Sequence, residues 1–270
     1  MTYFIYQSDP WLFVTLMLLV LGLAIELPYR LLTGYFSRNK QRTDPLNAVQ
    51  AGILTLSAFV LSLSFSQASA RFDSRRALVV TEANAIGTTW LRADQLGPTQ
   101  SKPFRQLLTD DIAARLTAYE APKNPQLYQQ AMDRSEHDQE DLWTIASPAL
   151  YAHDTRGRSL LMQSLNDMID VSAQQRQALA SKVPTQVVTL TLILVILGAL
   201  SLGVRFALDG ARPVLMSAIY VVAYVVVISM MINFDRQDTG LIKVSLTPLT
   251  LQLQSMERQS QSPPTVPHKR

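Results

Sequence analysis

The sequence predicts an all-α, four-pass membrane protein with a helical soluble region between its second and third spans. Four segments are apolar and nearly free of charge over about 20 residues, the length that an α-helix needs to cross a bilayer. The stretch between the second and third segments is mostly polar, and its apolar residues recur with the period of a helix rather than that of a strand. The predicted divisions are spans one and two at 1–66, the soluble region at 67–185, spans three and four at 186–234, and a tail at 235–270 with a disordered end.

The first span, from Trp11 to about Leu32, carries two charges near its end. No basic residue precedes the span and no small-residue cleavage site follows it, so a cleavable signal peptide is not predicted. Glu26 and Arg30 are four residues apart and can pair on one helix face. An acid at membrane depth indicates a functional site, whereas an acid at headgroup level would only neutralise Arg30.

The second span continues beyond the membrane as one predicted helix. Between Gly52 and Gly87 the chain contains no glycine or proline, and an apolar first part passes into a charged second part. A helix from Leu46 to Leu96 would be about 75 Å long at 1.5 Å per residue. The hydrocarbon core of a bilayer accounts for only about 30 Å of that length. We therefore predict that this helix links the membrane to the soluble region.

One face of the second span has the composition of a narrow ion path. Ser57, Leu61 and Phe65 follow one another at four-residue intervals on one face, and Ser62 lies beside them. Hydroxyl groups that alternate with bulky apolar groups are typical of a pore with a hydrophobic constriction. The alternative is that these small and hydroxyl residues only allow membrane helices to pack closely.

The charged part of the same helix carries two polar stripes. The first stripe is Arg71, Arg75 and Glu82, and the second is Asn84, Thr88 and Arg92. Buried charges need partners, and Asp167, Asp170 and Arg176 on the helix before span three are candidates. This pattern is compatible with a network that fixes helix register between subunits, and equally with a ligand or ion site.

The charges that flank the spans disagree about which side of the membrane the soluble region faces. Basic residues in the two short loops place those loops in the cytoplasm by the positive-inside rule: Arg38, Lys40, Arg42, Arg205 and Arg212. The arginines directly after spans two and four, Arg71, Arg75, Arg76 and Arg236, favour the opposite orientation. The side of the soluble region therefore stays open at this stage.

Several function classes are excluded by residue type and spacing. The absence of cysteine excludes disulfides, thiolate zinc sites and a cysteine nucleophile. His137, His153 and His268 do not have the spacing of metal ligands, and the sequence contains no GxSxG, P-loop or HExxH motif. We therefore predict no enzyme activity, no cofactor and no metal site. The net charge of +3 does not indicate nucleic-acid binding.

Several segments resemble the bacterial bestrophin-like membrane family. They are Glu26–Arg30, ARFDSRRALVVTEANAIGTTWLRADQLGP from Ala70, the helix LMQSLNDMIDVSAQQRQALASKVP and the stretch NFDRQDTGLIKVSLTPL. The resemblance to true bestrophins implies a pentameric anion channel whose second helix lines the pore, with an apolar neck at Phe65, Leu61 and Ser57 and a cytoplasmic soluble region. Because Ser57 is not bulky and the paired asparagines of bestrophins are missing, chloride selectivity and calcium gating are not implied.

The functional prediction is a homo-oligomeric ion channel for anions in the bacterial inner membrane, with span two around the axis. The soluble helices have narrow apolar stripes that need partners, which favours an oligomer. The basic run Arg71, Arg75 and Arg76 would concentrate small inorganic anions at the mouth. The alternative is a non-conducting scaffold or sensor whose soluble bundle binds a partner. A transporter is disfavoured because the sequence shows no internal repeat or broken helix.

Overall fold

The described part of the chain is entirely helical, which confirms the predicted fold class. A computed structural model describes residues 9–38, 44–121, 124–147, 155–236 and 242–261. Its helices are α1 Pro10–Arg38, α2 Asp44–Arg92, a 3-10 turn Ala93–Leu96, α3 Pro98–Glu120, α4 Pro125–Ala146, α5 Thr155–Ala180, α6 Thr185–Asp209, α7 Val214–Asp235 and α8 Thr247–Gln261. The chain divides into two compact units, which we call the membrane unit (Met1–Phe72 with Lys182–Lys243) and the soluble unit (Asp73–Ser181 with Val244–Arg270).

Four helices are long and apolar enough to cross a membrane, so the four-pass prediction is confirmed. They are α1, the apolar part of α2, α6 and α7. In the membrane unit α1 packs mainly on α6 and α7. A Cβ at Gly203 would lie 2.2 Å from the carbonyl oxygen of Ile25, so only glycine lets the backbones of α6 and α1 come this close.

The buried Asp235 joins the ends of α6 and α7 within the membrane unit. The backbone N–H of Val183 donates to both carboxylate oxygens of Asp235, at 3.1 and 3.0 Å. Pro184 directly precedes α6, and residues 181–184 between α5 and α6 are not helical. The carboxylate satisfies an N–H that would otherwise be buried without a helical partner.

The soluble unit has a core of its own, built from the second part of α2 and from α3, α4, α5 and α8. Phe104, Leu108 and Ile112 of α3 are fully buried, as their helical spacing predicts. Leu249 and Met256 of α8 complete this core, so this part of the predicted tail is a structural helix. The end of the tail, 262–270, and the basic loop 39–43 lie outside the described residues.

The long helix ends four residues before the predicted Leu96, and a 3-10 turn that stops at Gly97 follows it. Arg92 is the last residue of α2, and the 3-10 turn follows. Gly97 then adopts φ 77°, a backbone conformation that side chains with a Cβ rarely take. Pro98 begins α3 directly after Gly97, because a proline fits the first turn of a helix.

Candidate functional site

The apolar part of α2 is the least covered of the four spans. Of the residues in its most apolar segment 17% are buried inside the chain, against 28% to 39% for the other spans. Thr55, Phe59, Ser62 and Ser66 are all exposed on one side of it. At 100° per residue, these four residues lie within about 40° of Ser66 around the helix axis. We call this side of α2 the open face.

The structure places two of the predicted pore-lining residues inside the helix bundle of the membrane unit. Ser57 is fully buried, and its hydroxyl lies 2.7 Å from the carbonyl oxygen of Ile53 and 2.9 Å from that of Leu194 on α6. Leu61 is part of the membrane unit's core. The two residues face the neighbouring helices of their own chain, so they are covered before any second copy can approach.

The other two predicted pore residues lie in different environments. Phe65 is half-buried, and its ring centroid lies 5.7 Å from that of Phe234 on α7. Ser62 belongs to the open face. The predicted set is therefore divided between the interior of the bundle and the open face.

The open face differs in chemistry from the exposed faces of the other spans. Three of its four residues carry hydroxyl groups. All exposed residues of α1 between Leu16 and Leu27, and all those of α7 between Val214 and Val227, are apolar. An aliphatic face is what hydrocarbon stabilises, whereas hydroxyl groups gain from water or from protein partners. The open face therefore differs from a lipid-facing surface.

The charges that follow the apolar part of α2 are distributed unequally around the helix. Asp73 is exposed and lies about 20° from Ser66 around the axis, so it continues the open face. Arg75 is only 2% exposed and lies on the opposite side, while Arg71 is half-buried. Arg76 is exposed at about 80° from Ser66, on the flank. The basic run Arg71, Arg75 and Arg76 is thus directed mostly away from the open face.

Glu82 belongs to a buried ion-pair network inside the soluble unit. Arg115 Nη1 donates to Glu82 Oε1 at 2.5 Å, and Arg115 Nη2 donates to Asp111 Oδ2 at 2.7 Å. Ser135 Oγ donates to Asp111 Oδ1 at 2.5 Å, and the Gln139 amide donates to the same oxygen at 3.3 Å. We call these five residues the Arg115 network; it joins α2, α3 and α4.

The Arg115 network is buried, and its surroundings shift the pKa values of Glu82 and Arg115. Glu82, Asp111 and Arg115 are fully buried. Burial raises the pKa of Glu82 above its usual value, against the opposing effect of the Arg115 charge. Burial alone would lower the pKa of Arg115, but the charges of Asp111 and Glu82 outweigh burial and raise it. Arg115 therefore stays charged and holds the two carboxyl groups together.

The partners that the sequence suggested for Glu82 are wrong. Asp167 and Asp170 are exposed, and Arg176 pairs with Glu136. Arg115 lies 33 positions from Glu82 on a different helix. The apolar periodicity of α3 predicts which side of that helix is buried but does not indicate a buried partner for Glu82. Because all five members belong to one chain, the network fixes helix positions within a subunit rather than between subunits.

The three residues of the second predicted stripe lie in two different environments. Asn84 and Thr88 are exposed, and the Thr88 hydroxyl donates to the carbonyl oxygen of Asn84 at 2.9 Å. Arg92 is half-buried, and its Nη1 donates to the carbonyl oxygen of Leu160 at 2.7 Å. Arg92 thus ties the end of α2 to α5. Of this stripe, Asn84 and Thr88 are the two residues on an exposed surface of the helix.

The predicted pair of Glu26 and Arg30 is confirmed, and it has a third member. Arg30 Nε donates to Glu26 Oε1 at 2.5 Å. Arg212 Nη2, from the turn between α6 and α7, donates to Glu26 Oε2 at 2.7 Å. The sequence placed Arg212 in a short loop but could not connect it to Glu26. Among the described residues, no group of three histidine, aspartate or glutamate side chains could hold a metal ion.

Comparison with known proteins identifies the fold. Neither a protein-family model nor a curated protein matches the chain. A bestrophin homologue from Klebsiella pneumoniae matches with a TM-score of 0.65 at 13% identity, over 94% of this chain and 99% of that one. A point variant of a Klebsiella pneumoniae homologue matches at 0.65 and 16% identity, over 94% and 98%. A crystal structure described as a membrane protein variant matches at 0.67 and 14% identity, over 94% and 98%. This chain is a multi-pass membrane protein with the fold of the bacterial bestrophin homologues.

Proposed function

We propose that this protein is a homo-oligomeric ion channel in which the open face of α2 lines the ion path. The observation that carries the proposal is the contrast between the hydroxyl-bearing open face and the aliphatic exposed faces of α1 and α7. Copies arranged around an axis would turn the open faces toward shared water, while the aliphatic faces contact lipid. The resemblance to bestrophins suggests five copies.

The constriction in this arrangement is Phe59. It is the bulkiest side chain of the open face, and it is 60% exposed in the single chain. A ring of phenyl groups, with Thr55 on one side and Ser62 on the other, forms a short apolar barrier between hydroxyl-lined segments. Such barriers limit conduction by excluding water. In this proposal Phe59 takes the place of the neck that the resemblance put at Phe65, Leu61 and Ser57.

The charge on the open face favours cations over the anions expected from the sequence. Between Gly52 and Leu91, Asp73 is the one ionisable side chain within about 60° of Ser66 around α2. Repeated around an axis, Asp73 forms an acidic ring that raises the local cation concentration. The anion preference rested on the resemblance to bestrophins and on the charges of Arg71, Arg75 and Arg76. Burial of Arg75 and the angular positions of Arg71 and Arg76 weaken the argument from charge.

A cysteine scan tests the pore face directly, because the chain contains no native cysteine. Ser62→Cys and Ser66→Cys place a thiol on the open face, and Ser57→Cys and Ser64→Cys place one at fully buried positions of the same helix. A charged, water-soluble thiol reagent should reduce current in reconstituted bilayers for the first pair only. Modification of all four variants, or of none, would contradict the proposed path. Absence of ion flux from any variant and the wild type would favour a scaffold or sensor.

Reversal potentials in a salt gradient test the preference for cations. Asp73→Asn should bring the ratio of cation to anion permeability toward one. Arg76→Gln, three residues away, removes a charge from the flank of the helix and serves as the matched control. Equal effects of the two substitutions would show that Asp73 holds no special position on the ion path.

A further inference from the structure

An apolar groove opens on the surface of the membrane unit, and no residue of α2 is among those that line it. It encloses about 460 Å³ between α1, the end of α6 and the first half of α7. Leu18, Gly22, Ile25, Phe206, Val221 and Val222 line its apolar part. No described residue has an atom within 4 Å of the position where a Cβ of Gly22 would lie, so the groove has free space at this glycine. Leu18 and Val222, which flank the groove, are 39% and 52% exposed.

One end of this groove carries charge. Glu26, Tyr29, Arg30 and Arg212 line it, and Arg212 lies 6.0 Å from the centre of the Tyr29 ring. One carboxylate between two guanidinium groups leaves a net charge of +1. Arg30 uses Nε and Arg212 uses Nη2 for Glu26, and each guanidinium has five N–H groups. Donors therefore remain for a further anion, and the two side chains are 72% and 49% exposed.

The charged end lies where lipid headgroups are expected. Trp11 is 68% exposed near the start of α1, and Tyr29 follows it 18 positions later. At 1.5 Å per residue this separation is about 27 Å, close to the thickness of the hydrocarbon core. Trp and Tyr mark the two interfaces of a membrane helix. Arg30 and Arg212 are thus at the level of phosphate groups, while the apolar part of the groove is at the level of acyl chains.

We infer that this groove binds one anionic phospholipid, with an acyl chain along its apolar wall and the phosphate against Arg30 and Arg212. The site joins two features that a lipid combines, since a free anion would not use the apolar wall. Basic pockets between membrane helices select anionic headgroups by charge, and bidentate hydrogen bonds from arginine suit phosphate oxygens. This site is separate from the open face of α2, so the inference does not depend on conduction.

Native mass spectrometry of the full-length protein in detergent tests the inference. The probes are phosphatidylglycerol and phosphatidylcholine with identical acyl chains, and inorganic phosphate alone. Wild-type protein should retain phosphatidylglycerol at least tenfold better than phosphatidylcholine. The double variant Arg30→Gln/Arg212→Gln should lose that preference. Arg205→Gln removes an arginine that pairs with Asp209 on the same end of α6, outside the groove lining, and should keep it.

Two further variants separate the groove from general surface charge. Gly22→Leu fills free space without removing any charge, and it should lower phosphatidylglycerol retention about tenfold, as the loss of one well-placed contact does. Glu26→Gln raises the charge of the mouth from +1 to +2 and should strengthen retention. Equal effects of Arg205→Gln and the double variant would overturn the inference. Unchanged retention in Gly22→Leu, or binding of inorganic phosphate as strong as that of the lipid, would also overturn it. A changed number of copies in Gly22→Leu would overturn it as well, because the groove would then belong to a contact with a second copy.

Discussion

Replacement of Arg115 by methionine is the perturbation to which the soluble unit should respond most strongly. Arg115 forms ion pairs with Glu82 at 2.5 Å and with Asp111 at 2.7 Å, and all three side chains are fully buried. Methionine fills a similar volume with an unbranched apolar chain but leaves two carboxyl groups facing each other without the cation. Ser135 and Gln139 still donate to Asp111, whereas the hydroxyl of Tyr119, at 3.3 Å, is the one side-chain donor left to Glu82 among the described residues.

The expected loss is about 4 kcal/mol of unfolding free energy, because removing one partner from a buried pair typically costs about 3–5 kcal/mol. Protonation of Glu82, whose pKa burial already raises, keeps the loss from growing further. For a domain of this size roughly 3 °C of Tm corresponds to 1 kcal/mol, so the Tm of the soluble unit should fall by about 12 °C. Glu82→Gln in the Arg115→Met background removes one orphaned acid and should recover about 1–2 kcal/mol.

Intrinsic tryptophan fluorescence during heating is a suitable assay, since Trp90 is 3% exposed in the core of the soluble unit. Arg176→Met is the matched control: Arg176 also joins two helices through an ion pair with Glu136, but these side chains are 27% and 58% exposed. An exposed pair contributes at most about 1 kcal/mol, so this variant should lower the Tm by about 3 °C or less. Equal shifts for the two variants, or no recovery in the double variant, would refute the assigned role of the network.

Three further predictions concern the pH response of the soluble unit and the packing within the membrane unit. Burial raises the pKa of Glu82 in the folded protein above its usual value of 4.5. The contribution of this proton to stability is therefore present at low pH and is lost as the pH rises through the folded pKa. Glu82→Gln should flatten this part of a curve of stability against pH. Gly203→Ala should disrupt the packing of α6 on α1, because the new Cβ would lie 2.2 Å from the Ile25 oxygen. The Tm of this variant in detergent should fall, whereas the Tm of the control Gly22→Ala should not change. Asp235→Ala should cost about 1–3 kcal/mol by leaving the buried Val183 N–H without its acceptor, and Asp209→Ala at a more exposed position is its control in the same thermal assay.

The sequence predicted the helices well and their neighbours poorly. Apolar length identified the four spans, and the 3.6-residue period identified the buried side of α3 through Phe104, Leu108 and Ile112. Both signals arise within a few residues of each position, so they can be read without the rest of the chain. The pair of Glu26 and Arg30 was predictable for the same reason, whereas Arg212, which completes it, is 186 positions from Glu26.

The serines of α2 show where local information ends. Ser57, Ser62, Ser64 and Ser66 have similar neighbours in the sequence, and their spacing is compatible with either side of the helix as the pore face. The structure separates them because Leu194 and Thr191 of α6 contact Ser57 and Ser64, at 2.9 and 2.8 Å. Nothing within the described residues covers Ser62 and Ser66 to the same extent. A covering helix more than a hundred residues away decides this, and no local pattern contains it.

The sequence by itself determined that this protein is helical, that it crosses the membrane four times and that its second span continues as a charged helix, because hydrophobic length and period are properties of single segments. The tertiary structure alone decided which side of that helix is uncovered, that Arg115 is the partner of Glu82, and that Arg212 completes the charged end of the groove beside α1. These outcomes depend on contacts between distant segments, where burial strengthens electrostatic interactions and close packing selects one of several faces that the sequence leaves equivalent.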